Sequence, residues 1–175
     1  DTVTGVETLR FADDVVIGMS RDGTDGHMIL TGTSEADTIT VVGDVGIEVL
    51  GTDGDDILTG DRGNDILRGG AGDDTIAGGA GDDTIDAGAD DDIVAGGAGE
   101  DTIEGGAGDD NITGGAGDDT IDGSAGDDIL AGDAGDDTID GGADDDIAVF
   151  AGSQADYTFE SSADGETITV THVST

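Results

Sequence analysis

The sequence contains no cysteine and no proline, and only four of its 175 residues are aromatic. Without cysteine there is no disulfide framework, no thiol nucleophile and no zinc–thiolate site. Positive charge is equally scarce, because 4 Lys and Arg face 44 Asp and Glu, for a formal net charge of −40. That balance excludes nucleic acid and anionic membrane surfaces as partners. No apolar run approaches the roughly 18 residues of a membrane span, so membrane insertion is excluded too.

High net charge with few aromatic residues is typical of disordered chains, which bury too little apolar surface to offset conformational entropy. Two features argue against disorder here. Proline is absent, and the isoleucines and leucines recur at fixed intervals. An ordered fold of this chain therefore requires a partner that neutralises its carboxylates.

Eleven nine-residue repeats run without a gap from Gly51 to Val149. Place six of every repeat is aspartate, place eight is aliphatic, and the first four places are mostly Gly-Gly-Ala-Gly. A degenerate copy occupies residues 32–40, with Asp37 and Ile39 in the matching places. The place-six aspartates of the eleven repeats are Asp56, Asp65, Asp74, Asp83, Asp92, Asp101, Asp110, Asp119, Asp128, Asp137 and Asp146.

Each repeat divides into a turn and a very short strand. The first six residues are rich in glycine and aspartate and favour a turn, because glycine adopts positive φ without steric penalty. The last three have an apolar residue between two outward-pointing ones, which predicts a minimal strand. Such short strands are stable only when they stack, each pairing with a strand one turn away in a solenoid.

Place nine alternates in character between successive repeats. Every second repeat, beginning with residues 60–68, has a charged residue there, whereas the repeats between them are uncharged at places seven and nine. A period of eighteen therefore overlies the period of nine and predicts two nonapeptides per turn. The predicted fold is an all-β parallel solenoid of two sheets back to back, with one acidic and one uncharged outer face.

Stacked repeats would bring the carboxylates of place six within about 4.8 Å of each other, where they repel. Place five adds a second, mostly acidic row. The single aliphatic side chain of each repeat contributes too little to offset the ordering of nine residues. A hard cation resolves the problem, because Ca²⁺ binds about six to eight carboxylate and carbonyl oxygens. Mg²⁺ holds its water more tightly, and zinc prefers nitrogen or sulfur ligands.

Repeats such as GGAGDDTIA (69–77) and GGAGDDTID (78–86 and 114–122) resemble the RTX, or repeats-in-toxin, calcium-binding nonapeptide. The resemblance implies a right-handed parallel β-roll with Ca²⁺ between successive turn loops along each edge. It assigns the eleven place-six aspartates as the main side-chain ligands, helped by loop carbonyls. If every gap fills, the repeats would hold about nine ions.

Several turn loops depart from the glycine pattern. Ala87 replaces the glycine of place one, Asp90 and Asp144 stand at place four, and Ser124, Asp61 and Asp133 stand at place two. Aspartate tolerates a left-handed backbone better than most residues, so we expect these loops to keep the turn.

We expect three segments: an N-terminal β flank at residues 1–50, which includes the degenerate repeat, the roll at residues 51–149, and a C-terminal β cap at residues 150–175. Residues 15–30 and 157–170 predict hairpins around Asp-Gly turns. The aromatic residues of the chain are expected to cap the ends of the roll, and they are Phe11, Phe150, Tyr157 and Phe159.

No enzyme is predicted. A His-Glu-x-x-His zinc protease helix is impossible with His27 and His172 as the only histidines, and GMSRD (18–22) lacks the last glycine of a hydrolase nucleophile elbow. A uniform row of carboxylates also provides no means of separating the pKa values of an acid and a base.

The preferred hypothesis is a calcium-binding module that folds outside the cell and acts as a spacer and secretion aid. The resemblance implies type I secretion and a large extracellular or cell-surface parent, such as an adhesin, surface-layer protein or toxin, whose neighbouring units would be partners. The alternative is a calcium-dependent module that binds polysaccharide on its uncharged sheet. An ice-binding roll is disfavoured, because place three is almost always alanine rather than threonine or asparagine.

Overall fold

The computed structural model describes the backbone of residues 8–10, 16–21, 28–41, 45–151, 157–161 and 168–172, and the side chains within 29–41 and 45–151. This part of the chain is all β and contains no helix that could cross a membrane. Its strands are β1 (Thr8–Arg10), β2 (Val16–Arg21), β3 (Met28–Thr31), β4 (Thr38–Thr40), β5 (Glu48–Asp53), β6 (Ile57–Thr59), β7 (Ile66–Ala71), β8 (Thr75–Ala80), β9 (Thr84–Ala89), β10 (Ile93–Ala98), β11 (Thr102–Ala107), β12 (Asn111–Ala116), β13 (Thr120–Ala125), β14 (Ile129–Ala134), β15 (Thr138–Asp140), β16 (Ile147–Val149), β17 (Tyr157–Ser161) and β18 (Ile168–His172).

Successive strands alternate between two sheets, which makes the chain a parallel β-solenoid. One sheet has nine strands in the order β1-β2-β3-β5-β7-β9-β11-β13-β15, and the other has seven in the order β16-β14-β12-β10-β8-β6-β4. From β3 onward every pairing in these sheets is parallel. The predicted all-β parallel β-roll is confirmed.

The register confirms two nonapeptides per turn. Ile76 pairs with Val94, and Ile103 pairs with Ile121, so paired residues lie eighteen apart along the chain. The first turn is one residue longer, because Thr38 of β4 pairs with Ile57 of β6.

The core is a single column of aliphatic side chains between the two sheets. Place-eight residues from Leu58 to Leu130 are at most 2% exposed, because their neighbours at places seven and nine point to the opposite face of the strand. The column ends in the last turn, where Ile139 is only partly buried and Ala148 is exposed. No described residue stacks beyond that turn on the seven-stranded sheet, of which β16 is the edge.

The turn loops take a left-handed backbone at places two and four. Gly70 and Gly72 have φ of 125° and 122°, and this pair of values recurs along both edges. The substituted loops largely keep the conformation, since Asp90, Ser124, Asp133 and Asp144 also have positive φ, as expected. Asp61 is an exception, because it is not among the positive-φ residues.

One repeat that the sequence analysis does not identify lies directly before Gly51. Val49 pairs with Leu67 and is fully buried, so it occupies place eight, and Ile47 then occupies place six. The ten residues between the degenerate copy and Gly51 break the nine-residue phase, and Ile47 replaces the aspartate that marks the other repeats.

Both flanking hairpins are confirmed at the level of the backbone. β2 pairs antiparallel with β3, and β17 pairs antiparallel with β18 in a separate two-stranded sheet. β1 and β2 extend the nine-stranded sheet beyond the first turn of the roll. Phe150 is 40% exposed. Phe11, the side chains of Tyr157 and Phe159, and both histidine side chains lie outside the described residues.

Candidate metal sites along the roll edges

The turn loops stack along two edges of the roll, because each loop connects one sheet to the other. Loop 69–74 leads from β7 to β8, and loop 78–83 leads back from β8 to β9; the first three residues of each loop still pair as the end of a strand, so these strands have six residues rather than the expected three. Each loop ends in a place-six aspartate directly before the next strand begins. Aspartates eighteen residues apart therefore follow one another along the same edge.

Each place-six aspartate is anchored to the preceding repeat on its own edge. The N–H of Asp56 donates to Oδ1 of Asp74 at 2.7 Å, and the N–H of Asp74 donates to Oδ1 of Asp92 at 2.7 Å. The same bond links Asp83 to Asp101 at 2.8 Å on the other edge. From Asp37 to Asp128 these side chains are at most 3% exposed. A backbone N–H thus fixes Oδ1 of each carboxylate, and this bond also fixes the direction in which Oδ2 points.

That second oxygen is buried without a hydrogen-bond donor in eight of these aspartates. Within the described part of the chain, Oδ2 has no partner in Asp56, Asp74, Asp83, Asp92, Asp101, Asp110, Asp119 and Asp128. A buried polar atom without a partner is costly, and a buried charged one is more so. A row of eight such atoms indicates a missing interaction that recurs with the repeat.

A backbone carbonyl oxygen from the next repeat on the same edge lies close to the orphaned Oδ2. A Cβ added at Gly96 would lie 2.5 Å from Oδ2 of Asp101 and 2.7 Å from the carbonyl oxygen of Gly114. The equivalent atoms around Gly105 are Oδ2 of Asp110 at 2.5 Å and the carbonyl oxygen of Gly123 at 2.8 Å. Oδ2 of the place-six aspartate lies close to every place-one glycine of the repeats from 51 to 149, which explains why this place is glycine except at Ala87. A carbonyl oxygen converges with it at seven of these glycines, which are Gly51, Gly60, Gly69, Gly78, Gly96, Gly105 and Gly123.

The electrostatics of this row disfavour negative charge. Burial raises the pKa of Asp92 to about 7, and although the N–H of Asp74 opposes the rise, repulsion from Asp110 and Asp74 adds to it. Burial likewise raises the pKa of Asp74, Asp83 and Asp110 to about 6. The pKa values of the other aspartates with orphaned oxygens are raised for the same reason, and these are Asp56, Asp101, Asp119 and Asp128.

The donor set fits a hard cation. The polar atoms that converge at the place-one glycines are carboxylate and carbonyl oxygens, which Ca²⁺ prefers, and no cysteine is present. No cluster of three or more His, Cys, Asp or Glu side chains in metal-binding positions occurs among the described residues. The carboxylates alone therefore do not form a site, and backbone carbonyls have to complete the ligand set.

The eleven predicted ligands do not share one environment. Asp65 is buried like its neighbours, but both of its oxygens accept backbone N–H bonds, from Ile47 at 2.9 Å and from Asp61 at 3.2 Å. Asp137 and Asp146 lie in the last turn, where they are half-buried and accept N–H bonds from Asp119 and Asp128. The remaining eight are the aspartates with an orphaned oxygen.

The place-five row has a different part in the stacking. The N–H of Asp73 donates to Oδ1 of Asp55 at 3.2 Å, and the N–H of Asp109 donates to Oδ1 of Asp91 at 2.9 Å. These bonds run in the opposite direction to those of place six, and the place-five side chains are exposed. Both carboxylate rows therefore tie each loop to its stacked neighbours.

Comparison with known protein families matches this part of the chain to one model. The model of the RTX calcium-binding nonapeptide repeat, which contains four copies, matches residues 50–85, 68–103, 86–121, 95–130, 113–148 and 122–157. Together these overlapping matches cover residues 50–157, well over half of the chain. No curated protein sequence matches the chain.

Proposed function

The chain belongs to the family of proteins with RTX calcium-binding nonapeptide repeats, and on that premise we propose that its roll folds when Ca²⁺ enters the gaps between stacked loops. The observation that carries the proposal is the row of eight buried Oδ2 atoms without a hydrogen-bond donor among the described residues. In six of the eight, which are Asp56, Asp74, Asp83, Asp101, Asp110 and Asp128, this oxygen faces a carbonyl oxygen of the next repeat on the same edge, so a cation in the gap would satisfy both.

The residues that would hold the ions follow from this arrangement. Asp56, Asp74, Asp92, Asp110 and Asp128 serve one edge, and Asp83, Asp101 and Asp119 serve the other. Place-one carbonyls of the following repeats complete the set, as Gly114 does for Asp101. About nine ions are expected if every gap between stacked loops of the eleven repeats is filled. Because eight aspartates have an orphaned oxygen, we expect about eight ions. Bound calcium supplies positive charge between carboxylates that otherwise repel.

Calcium concentration would then decide whether the central part of the roll is folded. A ligand that binds the folded state and not the unfolded one stabilises it by mass action. Millimolar calcium outside a cell favours the roll, and the much lower level inside a cell leaves the chain extended. We therefore propose that the module folds after type I secretion and acts as an extracellular spacer in a large adhesin-, surface-layer- or toxin-like protein. We assign it no catalytic role.

The uncharged face supports a second candidate function, calcium-dependent binding of a polysaccharide or of a neighbouring unit of the same parent protein. On the seven-stranded sheet, Ile57, Ile93, Ile129 and Ile147 are 44–57% exposed, and no charged side chain stands between them at places seven and nine. Glycan arrays with and without calcium test this function. Binding that persists in Ile93→Lys and Ile129→Lys variants would argue against the sheet as the binding surface.

A calcium titration followed by circular dichroism tests the primary proposal. We expect the strand signal of the chain to rise with calcium, because residues 69–149 fold, and to remain low in matched concentrations of magnesium. A native mass spectrum of the calcium-loaded chain then counts the ions, with about eight expected. A full strand signal in chelator would contradict the proposal.

A further inference from the structure

Two place-six aspartates near the N-terminal end, Asp37 and Asp65, do not have the orphaned Oδ2 of the central loops. Within residues 29–68, hereafter the N-terminal repeats, the stacked loops are 32–37 on 51–56 along one edge and 45–47 on 60–65 along the other. The central repeats, residues 69–131, provide the comparison. This inference rests on the proposed function, because it concerns which gaps need an ion.

The first loop satisfies its aspartate with its own place-two residue. Oδ2 of Asp37 accepts the N–H of Thr33 at 2.6 Å and its hydroxyl at 3.0 Å. In the central repeats, the corresponding oxygen is orphaned. The atom of Asp37 without a partner among the described residues is Oδ1, which in later repeats accepts the N–H of the preceding repeat. Oδ2 of Asp37, which faces the carbonyl oxygen of Gly51 in the gap between loops 32–37 and 51–56, is therefore satisfied by donors of the protein.

The loop of residues 60–65 uses the same device. The N–H of Asp61, again a place-two residue, donates to Oδ2 of Asp65. Neither Thr33 nor Asp61 is among the residues with positive φ, whereas Gly70, Gly79 and Asp133 at the same place are. In both loops, therefore, the place-two residue lacks positive φ, and its N–H donates to Oδ2 of the place-six aspartate.

The stacked loop below Asp65 has no carboxylate at place six. Ile47 stands there, 8% exposed, and its N–H donates to Oδ1 of Asp65 at 2.9 Å. An apolar side chain at this place removes one charge from the row and adds to the core. Buried Val41 and Val49 and partly buried Leu30 enlarge the same apolar cluster, so these repeats bury more apolar surface per turn than the central ones.

Two further contacts cross between the N-terminal repeats. The hydroxyl of Thr52 donates to the carbonyl of Thr33, and the guanidinium of Arg68 forms an ion pair with Glu48. The guanidinium also lies 3.9 Å from Asp86 of the next turn. Positive charge thus lies on the acidic face where the central repeats begin.

We infer that residues 29–68 fold without calcium and provide the first turns on which the calcium-dependent repeats stack. Loops 32–37, 45–47 and 60–65 place an N–H donor or an isoleucine where the central loops have an orphaned carboxylate oxygen. The orphaned Oδ2 of Asp56 faces the carbonyl of Gly69, so the first gap that needs an ion is at the boundary with the central repeats. The folded strands at this boundary have unpaired edges. The central repeats can therefore pair with them without a separate nucleation step.

Amide exchange of the full chain, followed residue by residue by NMR in chelator, tests the inference. We expect protected amides in β4 to β6 and in residues 66–68 of β7, and rapid exchange from residue 69 to residue 149, with protection throughout in calcium. If residues 29–68 exchange as fast as the rest in chelator, the inference fails, although calcium-dependent folding stands. If the central repeats are protected in chelator as well, the proposed function fails.

The variant Ile47→Asp restores the repeat pattern and sharpens the test. It places a second carboxylate next to Asp65, so protection of residues 29–68 in chelator should fall at least tenfold, while calcium restores it. Ile57→Asp is the matched control, because it adds the same charge in the same segment to a side chain that is 48% rather than 8% exposed. Unchanged protection in Ile47→Asp would contradict the role that the inference gives to Ile47, and loss of protection that calcium does not restore would contradict the role of the added carboxylate.

Ion counting provides an independent readout. Asp65→Asn should leave the number of calcium ions in the native mass spectrum unchanged, because donors of the protein already occupy both oxygens of Asp65. Asp83→Asn, the next aspartate on the same edge, should lower the number by at least one. Loss of an ion in Asp65→Asn would contradict the inference for that loop.

Discussion

The N-terminal repeats and the central repeats share parallel pairing and one aliphatic column, although the first turn is one residue longer, but they differ in how their carboxylates are satisfied. Asp37 and Asp65 receive N–H bonds on Oδ2, whereas the equivalent oxygen of Asp74 or Asp101 is buried with no donor in the described part of the chain. The comparison separates two properties of the repeat. The alternation of side chains determines the coil, and the backbone at place two accompanies the presence or absence of an N–H bond to Oδ2 of the place-six aspartate. On the proposed function, only the loops without that bond need a cation.

The largest expected effect comes from filling a gap in the central repeats. Gly96→Leu places side-chain atoms where Oδ2 of Asp101 and the carbonyl of Gly114 converge, so we expect the calcium midpoint of the strand signal to rise at least tenfold. Gly96→Ala provides a graded comparison, because its Cβ alone lies 2.5 Å from Oδ2 of Asp101, so a smaller rise is expected. An unchanged midpoint in Gly96→Leu would show that the converging oxygens do not bind the ion.

Core truncations distinguish the two regions by their calcium dependence. Ile112→Ala and Leu58→Ala each remove a fully buried side chain and should lower the free energy of unfolding by about 2–5 kcal/mol in calcium. In chelator, Leu58→Ala should still reduce amide protection of the N-terminal repeats, whereas Ile112→Ala should change nothing measurable. An effect of Ile112→Ala in chelator would show that the central repeats fold without the ion.

The raised pKa values predict that acid partly replaces calcium in the central repeats. Burial holds the pKa of Asp92 at about 7 and that of Asp74 at about 6, against 3.8 for an ordinary aspartate. Between about pH 4 and pH 7 the folded state therefore binds more protons than the unfolded state, so in chelator stability rises as pH falls through this window and is lost as pH rises.

Calcium should show the opposite dependence, because protons compete for the same oxygens, and its midpoint should rise as pH falls below 7. Circular dichroism at several pH values, with and without chelator, measures both trends. Asp92→Asn is neutral at every pH and should flatten the slope in chelator. An unchanged slope in that variant would show that Asp92 does not contribute to the pH dependence.

The smallest expected effect is that of the ion pair on the acidic face. Arg68→Met removes a partly exposed contact with Glu48, so it should lower the stability of the N-terminal repeats by about 0.5–1 kcal/mol, and less at high salt. The calcium midpoint of the central repeats should stay within twofold of the original. Amide exchange in chelator at two salt concentrations measures the first effect, and a larger loss at high salt would contradict it.

Much of the roll could be predicted from the sequence, because the information is periodic. The eighteen-residue alternation at place nine gives the register that pairs Ile76 with Val94, and the aliphatic residues of place eight give the core. The repeat that ends at Leu50 could not be recognised in the same way. Ile47 removes its aspartate, and the extra residue of the first turn breaks the phase.

The sequence also did not indicate which loops lack positive φ at place two. Asp61 and Asp133 are the same residue at the same place of the repeat, yet Asp133 has φ of 70° and Asp61 is not in the left-handed region. The stacked neighbours differ, since loop 60–65 lies on the loop of Ile47, whereas loop 132–137 lies on that of Asp119. Such a contact between residues far apart in the chain cannot be read from a local pattern.

Small-angle scattering of the full chain, in chelator and then in millimolar calcium, tests most directly whether the central repeats depend on ions between their loops. The account predicts an expanded particle in chelator that contracts on calcium addition, with no contraction in the same concentration of magnesium. A particle that is equally compact in chelator and in calcium would contradict it.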